Sequence, residues 1–214
     1  MSTPPDTTAR RERLALCDLF LEVGPDAPTL CGDWTTRDLA AHLVMRERRP
    51  DGAIGIVIGA AAGHAEKVQR AIADTDWETL VERVRSGPPV WSPTRLASID
   101  ALANTTEFFV HHEDVRRAGE SWEPRRLDAE LVDRLYAGLK MAKRLVASSE
   151  VGIVLESTDD RAPVTAKDAS PSVEVRGPVG ELVLFVFGRQ QVSEVELEGD
   201  DEAVEAVRSA AFGI

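Results

Sequence analysis

Three side chains of metal-ligand type are spaced so that they can meet between two helices. His42 stands in the run LAAHL, on the same predicted helical face as Leu39, and should point toward the protein interior. Glu107 and His111 are four residues apart, so on a helix they share one face about one turn apart. Two imidazoles and one carboxylate suit Zn²⁺ with one position left for water or substrate. The same donors also suit Fe²⁺, Ni²⁺ or Mn²⁺, because ligand type alone does not select the metal.

Each of these residues also has an ordinary structural interpretation. A histidine on an apolar face, such as His42, is often a hydrogen-bonded core residue, and a pair such as Glu107 and His111 is often a solvated ion pair. A carboxylate that faces inward without a partner is costly, and a metal ion would supply that partner. The sequence therefore leaves both interpretations open, and the combination of the three residues favours a metal site.

Polar neighbours on the second predicted helix can orient the ligands by hydrogen bonds, although solvent exposure is the alternative for each. They are Asn104, His112 and Asp114. The remaining histidine, His64, is expected on the solvent side of a helix. Arg46 follows His42 by one helical turn and can face the same cavity or reach solvent.

The composition is that of an ordinary globular protein and excludes several functions. The chain has 214 residues, 43% of them hydrophobic, and a net charge of −12. That charge repels nucleic acids and anionic membranes, so neither is an expected partner. No run is long and apolar enough to span a bilayer, and no secretory signal is recognisable, which predicts a cytoplasmic protein. Cys17 and Cys31 form no CxxC pair and are expected to be reduced, with Cys31 packed rather than catalytic.

Periodicity and capping residues predict helices over the first two-thirds of the chain. Thr35 with Asp38, and Thr75 with Glu78, are candidate capping pairs. The predicted helices are 8–23, 35–49, 51–73, 75–86, 94–118 and 128–147.

After Ser148 the pattern changes to short strands mixed with two helices. The expected strands are 151–155, one around Val164, 172–175 and 192–197, and the expected helices are 179–187 and 201–211. The sequence thus predicts a mainly α protein with a C-terminal α+β domain. The predicted boundaries are 1–148 for a helical bundle and 149–214 for a small sheet-plus-helices domain.

Two motifs resemble one known family. The segment PTLCGDWTTRDLAAHL, residues 28–43, resembles the N-terminal signature of the mycothiol-dependent maleylpyruvate isomerase family, one of the DinB-like metal-binding bundles. The segment EFFVH, residues 107–111, is similar to that family's second metal motif in residue type and spacing. The resemblance covers roughly residues 8 to 148. The tail, with Gly177-Pro178 before an apolar helix and Gly188-Arg189 after it, resembles the small sterol-carrier-like domain often appended to such bundles.

The resemblance implies a DinB-like up-down four-helix bundle in which His42, Glu107 and His111 bind a divalent metal. It also implies that Trp34 and Asp38 form the framework of the loop and helix start. An arginine of the small domain helps to hold the thiol cofactor in that family, and our candidate for this role is Arg189. Its alternative role is to neutralise the carbonyl end of a helix. Arg46 is a second candidate for contact with the thiol.

The resulting hypothesis is a metal-dependent thiol S-transferase or isomerase that uses a mycothiol-type co-substrate on a small electrophile. The metal is expected to be Zn²⁺, with Ni²⁺, Fe²⁺ or Mn²⁺ as alternatives. A second hypothesis is a non-enzymatic protein with a structural or regulatory ion. A third is an interaction module whose small domain binds an apolar ligand. The sequence leaves the substrate and the choice between monomer and homodimer open.

Overall fold

The computed structural model describes residues 7–49, 62–88, 100–140 and 142–213. The chain divides into two compact units, Met1–Glu123 and Pro124–Ile214. The first unit is helical and the second combines a sheet with helices, which confirms the predicted fold class. In the part of the chain that the structure describes, no helix is both long and apolar enough to cross a membrane.

The described part of the first unit contains five α-helices. They are α1 (Thr8–Val23), α2 (Thr36–Arg48), α3 (Ala62–Ala73), α4 (Trp77–Ser86) and α5 (Asp100–Arg116). Helix α1 packs against α4 and α5, whereas α2 packs against α3 and α4. The predicted helical residues 51–61 and 94–99 lie outside the described residues.

The core between these helices follows the helical spacing of their apolar residues. Leu16 and Phe20 on α1, and Leu39 and Leu43 on α2, are four apart and are all buried, as is Phe108 on α5. Spacing of three and four residues places side chains on one face of a helix, so each helix buries one stripe. This common core fixes α2 and α5, the two helices that carry the candidate ligands.

One ion pair is built into this core. The Arg13 guanidinium donates to both carboxylate oxygens of Glu47 and, over 2.8 Å, to the carbonyl of Val84. It also lies 4.2 Å from the centre of the Phe108 ring. Both charged residues are buried, and the pairing satisfies charges that would otherwise be costly to bury.

Capping agrees with the sequence analysis at α2 and differs at α4. The predicted Thr35–Asp38 capping box is present, with Asp38 Oδ2 accepting from the Thr35 backbone N–H over 3.0 Å. The predicted cap at Thr75 is wrong, because the N-cap of α4 is Asp76. Its carboxylate accepts from both the backbone N–H and the hydroxyl of Thr79, at 3.1 and 3.0 Å. A carboxylate can accept both hydrogen bonds at once, which lowers the pKa of Asp76.

The second unit contains the helices α6 (Ala129–Leu139), α7 (Val179–Val186) and α8 (Asp201–Ser209). Its strands are β1 (Gly152–Ser157), β2 (Val164–Lys167), β3 (Ser172–Gly177) and β4 (Glu196–Glu198). The sheet order is β2-β1-β3-β4, with β1 and β3 parallel and the two outer pairs antiparallel. Every residue of α7 is buried, as its mainly apolar sequence predicts, and the burial includes Glu181.

Two predicted boundaries in this unit differ by several residues from those in the structure. Helix α6 ends at Leu139 rather than at 147, and a 3₁₀ turn follows at Ala142–Arg144. Gly138 stands at this end, and glycine is a poor helix former. The strand expected at 192–197 is reduced to β4, since the chain first makes a 3₁₀ turn at Gln190–Val192. Helix α6 contacts α7, so it belongs to the second unit, and the domain division after residue 148 stays a prediction.

Candidate metal centre

A tightly bonded loop leads into α2 and positions His42. Thr29 Oγ1 donates to the carbonyl of Trp34 over 2.8 Å and accepts from the Cys31 backbone N–H over 3.1 Å. Gly32 has a φ of 64°, a left-handed conformation that favours glycine and allows the chain to turn between Thr29 and Trp34. The loop therefore ends at a fixed position, and the indole of Trp34 lies 5.1 Å from the His42 ring, centre to centre.

Helix α5 supplies the other side of the site. Glu107 and His111 face the same way, as their spacing predicts, and Glu107 Oε1 lies 3.9 Å from His111 Nε2. The rings of His42 and His111 are 5.7 Å apart, with their planes 73° from each other. The structure thus brings the two histidines together across the gap between α2 and α5.

The three predicted ligands form a compact donor set. Each of His42, Glu107 and His111 offers one ligand atom, and these atoms all lie within 4.8 Å of one another. The side chains are half-buried, with 22% of Glu107 and 13% of His111 exposed. Two nitrogens and one oxygen at this separation fit a divalent cation after small side-chain movements, and the exposure leaves a path from solvent.

The electrostatics of His42 suit a ligand. Burial, the positive charge of His111 when protonated and the Arg46 guanidinium together lower the pKa of His42 to about 3. The ring is therefore neutral at pH 7 and keeps a lone pair on one nitrogen. Metal ions bind this neutral form, so no proton has to leave the His42 ring before coordination.

Asp114 fixes the orientation of the second histidine. Its carboxylate is fully buried one turn after His111, and Oδ2 lies 2.9 Å from His111 Nδ1. A carboxylate accepts hydrogen bonds, so this contact assigns the ring proton to Nδ1 and the lone pair to Nε2, the nitrogen beside Glu107. A carboxylate behind a ligating histidine is the usual supporting arrangement in metal sites.

Arg46 and Asn104 extend the site by one turn on each helix. The Arg46 guanidinium forms an ion pair with Glu107 and donates to the side-chain oxygen of Asn104. The sequence analysis predicted that both residues could lie near the ligands, and the structure places them there. The guanidinium offsets the charge of Glu107 and places a cationic group beside the candidate ligands.

Two other candidates lie elsewhere. His112 is buried and its Nδ1 atom lies 3.3 Å from Glu12 Oε2 on α1, so it contacts a different helix from the three ligands. Arg189 belongs to the second unit and donates to the Phe187 carbonyl over 2.5 Å, the helix-end contact that the sequence analysis gave as its alternative role. Its contact with a thiol stays a prediction.

Cys31 is the residue near the site that sequence reasoning left without a role. Its thiol donates to Asp114 Oδ2 over 3.1 Å and lies 3.9 Å from His111 Nδ1. The loop is held against α5 by a hydrogen bond from the Leu30 backbone N–H to the Asp114 carbonyl, 3.0 Å long. The three-residue spacing of Asp114 from His111 indicates in the sequence that the two side chains can meet on one helix. No local pattern in the sequence indicates that Cys31 contacts this helix.

The fold and the donor set together define a class, namely a helical unit with a histidine and carboxylate site followed by a small α+β unit. Neither a protein-family model nor a curated protein matches the chain. Among solved structures, the chain is similar to a crystal structure of the mycothiol-dependent maleylpyruvate isomerase, with a TM-score of 0.56 and 16% identity. A histidine-to-alanine mutant of that enzyme gives a TM-score of 0.62 and 15% identity. Both matches cover 90% of this chain and 91% of the other. The chain therefore has the fold of this isomerase.

Proposed function

We propose that the protein binds one divalent metal ion through His42, Glu107 and His111 and uses it in thiol-dependent chemistry on a small electrophile. The observation that carries the proposal is the convergence of these three ligand atoms within 4.8 Å, with His111 oriented by Asp114. The fold shared with a mycothiol-dependent isomerase supports a low-molecular-weight thiol of the mycothiol type as co-substrate, and S-transfer or isomerisation as the reaction.

The donor set fits a catalytic ion better than a purely structural one. Structural zinc sites are closed by four protein ligands, whereas catalytic sites have three and an open position. Among the described residues, the group of candidate ligands around His42 has three members. His112, the most obvious fourth ligand by sequence, contacts Glu12 instead. A divalent ion held here supplies Lewis acidity, which lowers the pKa of a thiol or water bound beside it.

The protein's own groups have separate tasks in this scheme. His42 and His111 present neutral nitrogens, and Glu107 contributes a negative charge that offsets part of the ion's charge. Arg46 places a guanidinium beside Glu107, and its remaining N–H groups are suited to hold an anionic group of the thiol or the substrate. The contact of Arg189 with the thiol is kept as a separate prediction. Zn²⁺ is the metal we expect, because two imidazoles and a carboxylate are a common zinc set.

The first experiment is metal analysis of the full chain purified without chelator or affinity nickel. We expect near-stoichiometric divalent metal in the wild type and its loss in His42→Ala and His111→Ala. His112→Ala is the matched control, since it removes the adjacent histidine and should keep the metal. A wild type that contains no metal, and takes up none on reconstitution, would contradict the proposal.

The second experiment tests the chemistry on the metal-loaded protein. A low-molecular-weight thiol is mixed with small electrophiles, and thiol consumption and product formation are followed. We expect turnover that is lost in His42→Ala, and a KM for the thiol that rises about tenfold in Arg46→Met and Arg189→Met through the loss of a charge-assisted hydrogen bond. Full metal occupancy without turnover of any thiol and electrophile pair would favour the non-enzymatic alternative.

A further inference from the structure

A second group of metal-ligand atoms lies on the other edge of the His111 ring. Cys31, His111 and Asp114 each offer one ligand atom, and these atoms also lie within 4.8 Å of one another. Cys31 Sγ is 3.1 Å from Asp114 Oδ2, Asp114 Oδ2 is 2.9 Å from His111 Nδ1, and Cys31 Sγ is 3.9 Å from His111 Nδ1. Sulfur, oxygen and nitrogen thus form a small triangle.

The triangle has the dimensions of a coordination site. Zinc binds sulfur at about 2.3 Å and nitrogen or oxygen at about 2.0–2.2 Å. Ligand atoms around one tetrahedral ion are therefore about 3.3–3.6 Å apart. The Asp114 oxygen lies closer than this to Cys31 Sγ and His111 Nδ1, at 3.1 and 2.9 Å, and Cys31 Sγ lies farther from His111 Nδ1, at 3.9 Å. An ion can reach all three atoms with shifts of a few tenths of an ångström, and these shifts are within the freedom of the side chains.

The surroundings also suit a cation. Asp114 is fully buried, so its carboxylate is held in a place of low dielectric constant where a positive charge is strongly favoured. Cys31 is half-buried, so an ion can enter from its side. Both are positioned by backbone contacts that need no ion, namely the Thr29 and Leu30 hydrogen bonds of the loop. The site is thus largely formed in advance.

We propose that Cys31, Asp114 and Nδ1 of His111 form a second cation site, selective for a soft, thiophilic divalent ion such as Cd²⁺. Sulfur ligands select soft cations, and this set contains sulfur whereas the His42 set does not. On binding, the sulfur–metal bond forms as the thiol proton leaves to solvent, the His111 ring proton moves from Nδ1 to Nε2 by exchange with solvent, and no oxidation takes place. The site can form without an ion at the proposed catalytic centre.

The two sites share one imidazole, and this makes them competitors. A neutral imidazole has one nitrogen with a lone pair and one that carries the proton. The His42 set requires the lone pair on Nε2, whereas the Cys31 set requires it on Nδ1. An ion bound by Cys31 and Asp114 therefore removes His111 from the other set, so thiophilic cations should act as inhibitors of the proposed thiol chemistry.

The test uses Cd²⁺ alone, added to the full chain after metal removal. Thiolate ligation of Cd²⁺ gives a charge-transfer absorption in the ultraviolet, which imidazole and carboxylate ligation do not give. We expect this band in the wild type, with saturation at one equivalent, and its loss in Cys31→Ser. Cys17→Ser is the matched control, because Cys17 is fully buried and its thiol donates to the Val81 carbonyl, so its loss should leave the band unchanged.

His42→Ala separates this site from the proposed catalytic centre. We expect it to lose Zn²⁺ from the His42 set while keeping the Cd²⁺ band, and thermal unfolding checks that each variant is folded. A band that disappears in His42→Ala would assign Cys31 to the first site and overturn the inference. A wild type without the band, or a Cys31→Ser protein that keeps it, would overturn it as well. If Zn²⁺ binding fails but the band is present, the proposed function fails and the second site stands.

Discussion

Asp114 Oδ2 lies 2.9 Å from His111 Nδ1, and the carboxylate is fully buried. This contact decides which nitrogen of His111 faces Glu107. The same oxygen accepts from the Cys31 thiol, so one atom supports the proposed catalytic set and belongs to the proposed second site. Removal of the Asp114 carboxylate should therefore affect metal binding differently from removal of a candidate ligand such as His42.

Asp114→Asn should weaken Zn²⁺ binding to the His42 set about 10–100-fold without abolishing it, because the carboxylate orients a ligand and raises its basicity. The measurement is Zn²⁺ competition with a chelator of known affinity, made in the Cys31→Ser background so that the second site cannot contribute. Asp133, an exposed aspartate of the second unit, provides the control through Asp133→Asn. An unchanged affinity in Asp114→Asn would mean that the contact does not support metal binding.

Loss of the cap at the start of α2 should affect stability and metal affinity together. Thr35→Ala removes the side chain that caps the helix carrying His42, at a cost of about 1 kcal/mol in the free energy of unfolding. Part of the free energy of metal binding is then used to order the start of α2. The Zn²⁺ affinity should therefore fall by up to about fivefold, which corresponds to about 1 kcal/mol.

The matched control for this prediction is Asp76→Ala. It removes the cap of α4, which carries none of the ligands, and should cost a similar amount of stability. Chemical denaturation gives the unfolding free energies, and calorimetry gives the affinities. Equal changes in affinity for the two variants would show that the effect is a general loss of stability and not a property of α2.

Cys17 should make the protein less stable at high pH. Burial raises the pKa of its thiol from 9.0 to about 12, because the thiolate is poorly solvated in the core. Below pH 9 the thiol is protonated in both the folded and the unfolded chain, and the group adds no pH dependence. Between pH 9 and 12 only the unfolded chain loses the proton, so the free energy of unfolding falls by about 1.4 kcal/mol per pH unit.

The measurement is urea denaturation of the wild type and of Cys17→Ala at a series of pH values. The alanine variant should be less stable at pH 7 because it leaves a cavity, and its disadvantage should shrink as the pH rises above 9. Parallel curves for the two proteins up to pH 10.5 would contradict the prediction, since lysine and tyrosine titration affects both equally.

Local patterns predicted the parts of the site that lie on single helices. The four-residue spacing of Glu107 and His111 fixes their common face, and the apolar neighbours of His42 place it toward α5. The contact of Cys31 with Asp114 could not be predicted in this way, since the two residues are 83 positions apart. Their meeting depends on how the loop docks on α5, which is a property of the assembled core.

Helix boundaries show the same limit. The cap at Thr35 was predicted because its capping box is local, and the apolar run of α7 predicts its complete burial. The end of α6 at Leu139 was missed, since apolar residues continue at helical spacing beyond it while the chain tightens into a 3₁₀ turn. The spacing of apolar residues predicts which residues are buried, but it does not predict whether they lie in an α-helix or in a 3₁₀ turn.

The hydrogen bond from Leu30 to Asp114 has a consequence for the protein during its synthesis. The loop and α2 leave the ribosome long before α5 does, so a nascent chain carries His42 and Cys31 without the candidate ligands of α5. Neither donor set exists until α5 has docked, because closure of so long a loop precedes every contact within the sets. We therefore expect metal to be loaded only onto a helical unit that has already folded, and fragments that end before Glu107 should hold no ion at either proposed site.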